Sequence, residues 1–240
     1  MSSVPTPPAV RFTQAIPGGK LPAMKLYTYY RSTAAFRVRI ALNIKELAFE
    51  TVSKHLRKAE HRTADFFDLN PQGLIPALED GGGSGYFSSR YSMIATDWAR
   101  MPPLLPRDPH ERARVRSLAL VVACDMHPLN NLRVLNFLRG PLGLDEQAVS
   151  QKWYPHWIAE GFRALEEEAR RSSGDGRHMF GNRVTLADVC IVPQMYNAVR
   201  FKCDLAPYPT LRGICAHLET LPEFANAAPE AQPDAEPGVV

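Results

Sequence analysis

The amino-acid sequence predicts an α/β N-terminal domain followed by an all-helical domain. A strand–helix–strand–strand pattern occupies the first third of the chain, and this order is typical of a βαβ unit. Beyond residue 108 the hydrophobic spacing is helical and carries no strand signal. A proline-rich link separates the two patterns. The predicted division is a disordered leader at 1–23, an α/β domain at 24–103 and a helical domain at 107–240.

The α/β half is predicted to consist of short elements. A β-prone run at 25–30 is followed by a polar turn and by a segment, 34–44, whose apolar spacing suits a helix packed on a sheet. Residues 49–52 form a second strand candidate, and the charged segment 57–70 has the pattern of a surface helix or loop. A turn then leads into a short strand that Pro76 interrupts.

The helical half contains three long periodic stretches, at 111–136, 146–172 and 185–200. Thr185 precedes Asp188 by three residues, which is the spacing of a capping box at the start of a helix. Near the end of the first stretch a proline and two asparagines indicate a helix break.

Composition excludes several classes of protein. The 240 residues are 45% hydrophobic and 22% charged, and the net charge of +3 is too small and too scattered to indicate a nucleic-acid partner. No stretch approaches the roughly 18 apolar residues that a membrane span requires. The four cysteines form no CxxC pair and no metal-ligand spacing, so we expect reduced thiols, no metal and a cytoplasmic protein.

The turn that contains Ser32 and Thr33 is the first candidate site. It lies between a predicted strand and the start of a predicted helix, where unpaired N–H groups and the helix dipole favour an anion such as a thiolate. A hydroxyl there can also donate to the anion. Spacing alone favours a simpler role, in which one hydroxyl caps the helix.

Three further candidates each have two interpretations. The Ile75–Pro76 bond is either an ordinary edge proline or a cis turn that presents backbone groups to a peptide ligand. His127 is either a core histidine or, because a helix break follows it, a side chain that faces a cleft. Arg200 ends an apolar helix and is either a partner of the helix C-terminus or a clamp for a carboxylate.

Together these segments resemble the zeta-class glutathione transferases, the maleylacetoacetate isomerases. Residues 30–42, YRSTAAFRVRIAL, are similar to that family's SSCxxRVRIAL signature, and residues 70–78, NPQGLIPAL, are similar to its cis-proline segment. The other matching segments are 127–132, 185–194, 204–210 and the tail motif Gln-Pro-Asp at 232–234.

The resemblance implies a thioredoxin-like N-terminal domain in a glutathione transferase fold, a homodimer, and glutathione as cofactor. It implies isomerisation of maleylacetoacetate to fumarylacetoacetate, in aromatic amino-acid catabolism, through addition of the glutathione thiolate to a small unsaturated diacid. By the same resemblance, catalysis and the thiol end belong to Ser32, Thr33 and His127, with Arg200 in the substrate pocket. Glutathione would also contact Ile75, Pro76 and Ser88, and the weaker substrate candidates are Arg31 and Asn131. Ala34 replaces the family's cysteine.

The sequence departs from the family pattern at 81–101. The family's Gln-Ser pair, which binds the γ-glutamyl end of glutathione, aligns with Phe87 and Ser88 without a gap, or with Tyr91 and Ser92 if gaps are allowed. A reading-frame slip and true divergence both explain this. The lost amide would cost on the order of 1–3 kcal/mol of glutathione binding.

The alternative functions are therefore a maleylpyruvate isomerase, a glutathione transferase acting on halogenated acids, and a catalytically impaired glutathione-binding protein. In maleylpyruvate isomerases, an arginine commonly follows the paired asparagines, whereas this chain has Leu132 at that position. This difference favours maleylacetoacetate as the substrate.

Overall fold

A computed structural model describes residues 24–79, 86–88 and 102–236. Four strands and eight α-helices alternate with short turns in this part of the chain. They are β1 (Met24–Thr28), α1 (Thr33–Ile44), β2 (Phe49–Ser53), a 3-10 turn (Glu60–Arg62), α2 (Ala64–Leu69), β3 (Ala77–Glu79), β4 (Tyr86–Ser88), α3 (Pro109–Leu120), a π-helical turn (Val121–Met126), α4 (Leu132–Arg139), a second π-helical turn (Ala148–Trp153), α5 (Tyr154–Ser172), α6 (Leu186–Arg200), α7 (Pro209–Leu218), α8 (Pro222–Ala225) and a 3-10 turn (Pro229–Ala231).

The four strands form one mixed sheet in the order β2-β1-β3-β4. Strands β1 and β2 are parallel and are connected through α1, which confirms the predicted βαβ unit. Strand β3 is antiparallel to β1, and β4 is antiparallel to β3. The carboxyl end of β1 therefore leads directly into the turn that contains Ser32 and Thr33.

Helix α1 is buried on both sides because it lies between the sheet and the helical half. Val38 and Leu42 pack with Leu26 on the sheet side. Phe36 and Ile40 belong to the large core shared with the helices of the second half. A helix that is largely buried on both sides is expected in such a position, and the polar turn at its start therefore lies where the two halves meet.

Helix α6 is the centre of the helical half and begins with the predicted capping box. The buried Asp188 carboxylate accepts hydrogen bonds from the backbone N–H groups of Thr185 and Met179, each at 2.7 Å. The carboxylate thus satisfies donors at the start of α6 and in the preceding loop.

The helical stretches differ in detail from the sequence pattern. The stretch at 111–136 is not one helix, because α3 ends at Leu120, a π-helical turn follows, and residues 127–131 break the path as predicted. The predicted leader lies outside the described residues, as do 80–85 and 89–101. The domain boundary near 103–107 stays a prediction. In the part of the chain that the structure describes, no helix combines the length and apolarity needed to cross a bilayer.

Candidate active site

A cavity of about 600 Å³ opens between the two halves of the chain. Its walls come from the turn between β1 and α1, the loops around α2, the segment before β3, the helix break at 127–131, α4 and the end of α6. Of the nine residues singled out by sequence, seven line it: Arg31, Ser32, Thr33, Ile75, His127, Asn131 and Arg200.

Ser32 and Thr33 mark the start of α1 and face the cavity together. The Ser32 hydroxyl accepts a hydrogen bond from the Ala35 N–H at 3.2 Å, so Ser32 caps the helix. Its own hydroxyl proton is still available to a ligand. Thr33 is almost fully buried, and its Oγ1 lies 3.1 Å from Nδ1 of His127. Two hydroxyls at the start of one helix create a place suited to an anion.

His127 approaches this turn from the helical half, directly after the first π-helical turn. Burial lowers the pKa of the His127 imidazole to about 3, and the positive charges of Arg37 and Arg133 act in the same direction. The imidazole is therefore neutral at physiological pH and carries one proton. Its hydrogen bond to Thr33 joins the two halves of the chain at the cavity.

The Ile75–Pro76 peptide bond is cis, as the resemblance implies. Ile75 is buried and lines the cavity, whereas Pro76 is buried and does not line it. The preceding loop is held by the Asn70 side chain, whose Nδ2 donates to the Leu74 carbonyl at 2.8 Å. Leu74 and Ile75 of this loop therefore form part of the cavity wall.

Arg31 and Arg200 bring positive charge to the cavity from opposite halves of the chain. Arg31 is buried, and its guanidinium lies 5.2 Å from the centre of the Tyr30 ring. Arg200 ends α6, with its guanidinium 4.7 Å from the centre of the Phe201 ring. Burial lowers the pKa of Arg200, and the charge of Arg31 acts in the same direction. Their mutual repulsion would fall when an anion binds between them.

The cavity is also lined by four arginines that were not among the candidates from the sequence: Arg57, Arg62, Arg133 and Arg139. Arg139 is paired with Glu146, its Nη2 lying 2.8 Å from Oε1. Among the described residues that line the cavity, no side chain is acidic. The cavity is thus suited to a ligand with several negative charges.

The two asparagines at the helix break have separate roles. Asn131 caps α4, its Oδ1 accepting the Arg133 N–H at 3.1 Å. Asn130 donates through Nδ2 to the Tyr154 carbonyl at 3.2 Å. Its Oδ1 is buried and has no hydrogen-bond partner within the described ranges, so it is a polar atom that a bound molecule can satisfy.

Ser88 closes strand β4 and pairs in register with Ala77. Tyr91 and Ser92 lie outside the described residues. The cysteines Cys124, Cys190, Cys203 and Cys215 are free thiols.

Fold and cavity together define the class of the protein. Residues 22–87 match the family model described as the N-terminal domain of glutathione S-transferases. The chain is 48% identical over 212 residues to a probable maleylacetoacetate isomerase of Vibrio cholerae serotype O1, covering 88% of this chain and 97% of the relative. It is 44% identical over 211 residues to a maleylpyruvate isomerase of a Ralstonia species, covering 88% and 99%.

A solved structure gives the same result in three dimensions. The maleylacetoacetate isomerase of Methylobacterium extorquens AM1, solved with bound malonate and glutathione, superposes with a TM-score of 0.83 at 39% identity. The alignment covers 88% of this chain and 99% of that one. The chain belongs to the zeta-class glutathione transferases, the family of the maleylacetoacetate and maleylpyruvate isomerases.

Proposed function

We propose that the chain isomerises maleylacetoacetate to fumarylacetoacetate with glutathione as cofactor. The observation that carries the proposal is that the hydroxyls of Ser32 and Thr33 and a set of arginines line one and the same cavity. A thiol nucleophile needs the hydroxyls, and a diacid needs the cations. Both are supplied by residues that the fold holds within one volume.

The residues present fit glutathione. The volume is within the range of small-molecule sites, Ile75 beside the cis bond lines the cavity, and Asn130 offers a buried oxygen without a partner among the described residues. We propose that Ser32, Thr33, Ile75, Pro76 and His127 hold it, and that Ser88 contacts its γ-glutamyl end. When bound, glutathione supplies a nucleophilic thiol for reversible attack on the double bond.

The hydroxyls would keep that thiol ionised. The first turn of α1 favours a negative charge, and each hydroxyl can donate one hydrogen bond to sulfur. When the proton of the neutral His127 is on Nδ1, it is donated to Thr33 Oγ1, which leaves the Thr33 proton for the thiolate. His127 would thus fix the direction in which the Thr33 hydroxyl points.

The arginines would hold the diacid. Arg31 and Arg200 approach from opposite halves of the chain, so each can hold one carboxylate and stabilise the negative charge that develops beside it. Asn131 also lines the cavity and can add a neutral donor through its side-chain amide. Arg57 and Arg133, at the cavity edge, would attract the anion toward the site.

A spectrophotometric assay with maleylacetoacetate tests the proposal. We expect turnover that depends on glutathione, and full activity without it would refute the mechanism. Ser32→Ala and Thr33→Val each remove one hydroxyl, and we expect at least about a tenfold loss of kcat/KM from the more important of the two. Unchanged turnover in both variants would place the thiolate elsewhere.

The second candidate function is isomerisation of maleylpyruvate, which the Ralstonia relative favours. The two diacids differ in length, so both belong in the same assay, and the larger kcat/KM identifies the substrate. We also propose that the protein is cytoplasmic, which the four free thiols support, and that it forms a homodimer, as the family resemblance implies. Sedimentation at micromolar concentration would test the dimer.

A further inference from the structure

Two side chains hold the backbone N–H and C=O groups of Tyr30, which lies just before the turn that contains Ser32 and Thr33. The Tyr30 N–H donates to Oδ2 of Asp234 at 3.1 Å, across 204 positions of sequence. The Tyr30 carbonyl accepts from Nη2 of Arg39 at 3.0 Å. Because Tyr30 is buried, these bonds replace water rather than compete with it. The backbone that leads into Ser32 is thus fixed at both its donor and its acceptor.

Arg39 is a buried connector between three parts of the chain. Its Nε donates to the carbonyl of Ala227, after helix α8, at 2.9 Å, and its Nη1 donates to Oγ1 of Thr28, in strand β1, at 3.2 Å. Burial lowers the pKa of Arg39 to about 10, and the Asp234 carboxylate acts in the opposite direction. Arg39 therefore remains charged at neutral pH, and its hydrogen bonds are charge-assisted.

The tail motif Gln-Pro-Asp supplies Asp234, the second side chain that, with Arg39, holds Tyr30. Nε2 of Gln232 donates to the carbonyls of Asn226 and Ala228, at 3.0 and 2.9 Å, which anchors the tail on the helical half. Two residues later, Asp234 reaches the N-terminal half. Ala235 then packs in the small core that contains Tyr30. Gln232 and Oδ2 of Asp234 thus have defined partners, whereas the buried Oδ1 of Asp234 has none among the described residues.

We propose that Asp234 and Arg39 are positioning residues for the catalytic turn, an inference that rests on the proposed function of Ser32 and Thr33. Neither residue lines the cavity. They act by fixing the Tyr30 peptide groups, and through them the place of both hydroxyls. Catalysis is sensitive to displacements of about 1 Å in such groups. The site is therefore complete only when the C-terminal segment is docked.

The test is Asp234→Ala, with Asp108→Ala as the matched control. Asp108 also accepts backbone N–H bonds, from His110 and Glu111, but it caps α3 outside the cavity. We expect Asp234→Ala to lower kcat roughly tenfold. We also expect it to raise the pKa of bound glutathione, measured from thiolate absorbance against pH. Asp234→Asn keeps an oxygen for the Tyr30 N–H and should recover most of the loss.

The outcomes separate the two proposals. If Ser32→Ala and Thr33→Val both retain full turnover, the proposed catalytic role of the turn is refuted, and the positioning role of Asp234 and Arg39 is refuted with it. If those variants lose turnover while Asp234→Ala changes only the melting temperature, the positioning role of Asp234 and Arg39 is refuted and the catalytic role of the turn stands. Should Asp234→Ala not fold, Arg39→Lys keeps the charge but loses the fork of donors. An unchanged kcat and thiol pKa in Arg39→Lys would overturn the proposal.

Discussion

Replacing His127 by asparagine should remove a defined part of the acid sensitivity of the fold. In the folded chain, burial and the charges of Arg37 and Arg133 lower the pKa of His127 to about 3. In the unfolded chain the value is about 6.5. As pH falls from 6.5 toward 3, the unfolded chain binds a proton that the folded chain does not. The contribution of His127 to the free energy of unfolding therefore falls over this window and is constant above it.

The magnitude follows from the window. At about pH 5 the unfolded state has gained roughly 1.5 pH units of protonation free energy, or about 2 kcal/mol. Urea unfolding at about pH 7.5 and about pH 5, at one protein concentration, measures this. Wild type should lose about 2 kcal/mol more than His127→Asn between the two values, whereas His110→Asn, at an exposed histidine, should follow wild type. A difference between wild type and His127→Asn that does not change with pH would refute the reasoning.

Two predictions concern stability away from the site. Asp188→Ala leaves the buried N–H groups of Thr185 and Met179 without an acceptor, so we expect at least about 2 kcal/mol of destabilisation in urea unfolding; a loss below about 0.5 kcal/mol would contradict the capping role. Gly161→Ala places a β-carbon on the buried Met126 sulfur. It should cost about 1–3 kcal/mol, and Met126→Ala in the same chain should recover part of that cost; additive losses would contradict the overlap.

Local rules predicted the features that depend on neighbouring residues. The cap at Ser32 and the capping box at Thr185 follow from hydroxyl and carboxylate spacing within one turn, and both are present. The helix break after His127 followed from proline and asparagine in the same way. Such signals need no knowledge of tertiary contacts, because the partner is at most four residues away.

Contacts between distant segments were beyond these rules. Thr33 and His127 meet across 94 positions, and only the family resemblance placed them in one site. Arg57 was interpreted as part of a charged surface segment, since a single sequence does not show which face a cation occupies. The contact of Asp234 with Tyr30 spans 204 positions. Its motif was recognised, but its partner depends on how the two halves pack.

The register of the sheet bears on the departure at 81–101. Ser88 pairs with Ala77, two residues after Ile75, so its backbone lies beside the cis-proline segment. This position favours the alignment without a gap, in which Ser88 rather than Ser92 takes the family's serine. Ser88→Ala should therefore raise the KM for glutathione about three- to tenfold, the worth of one hydrogen bond, with a smaller change in kcat.

Ser92→Ala is the matched control for that prediction, because it removes the same hydroxyl four residues later. It should leave both constants near their wild-type values. The reverse result, an effect from Ser92 and none from Ser88, would mean that the gapped alignment is correct. Equal, small effects from both would mean that neither serine contacts the γ-glutamyl end. Binding would then depend on the thiol end, where Ser32 and Thr33 lie, and a weakened affinity would be the consequence of the lost glutamine.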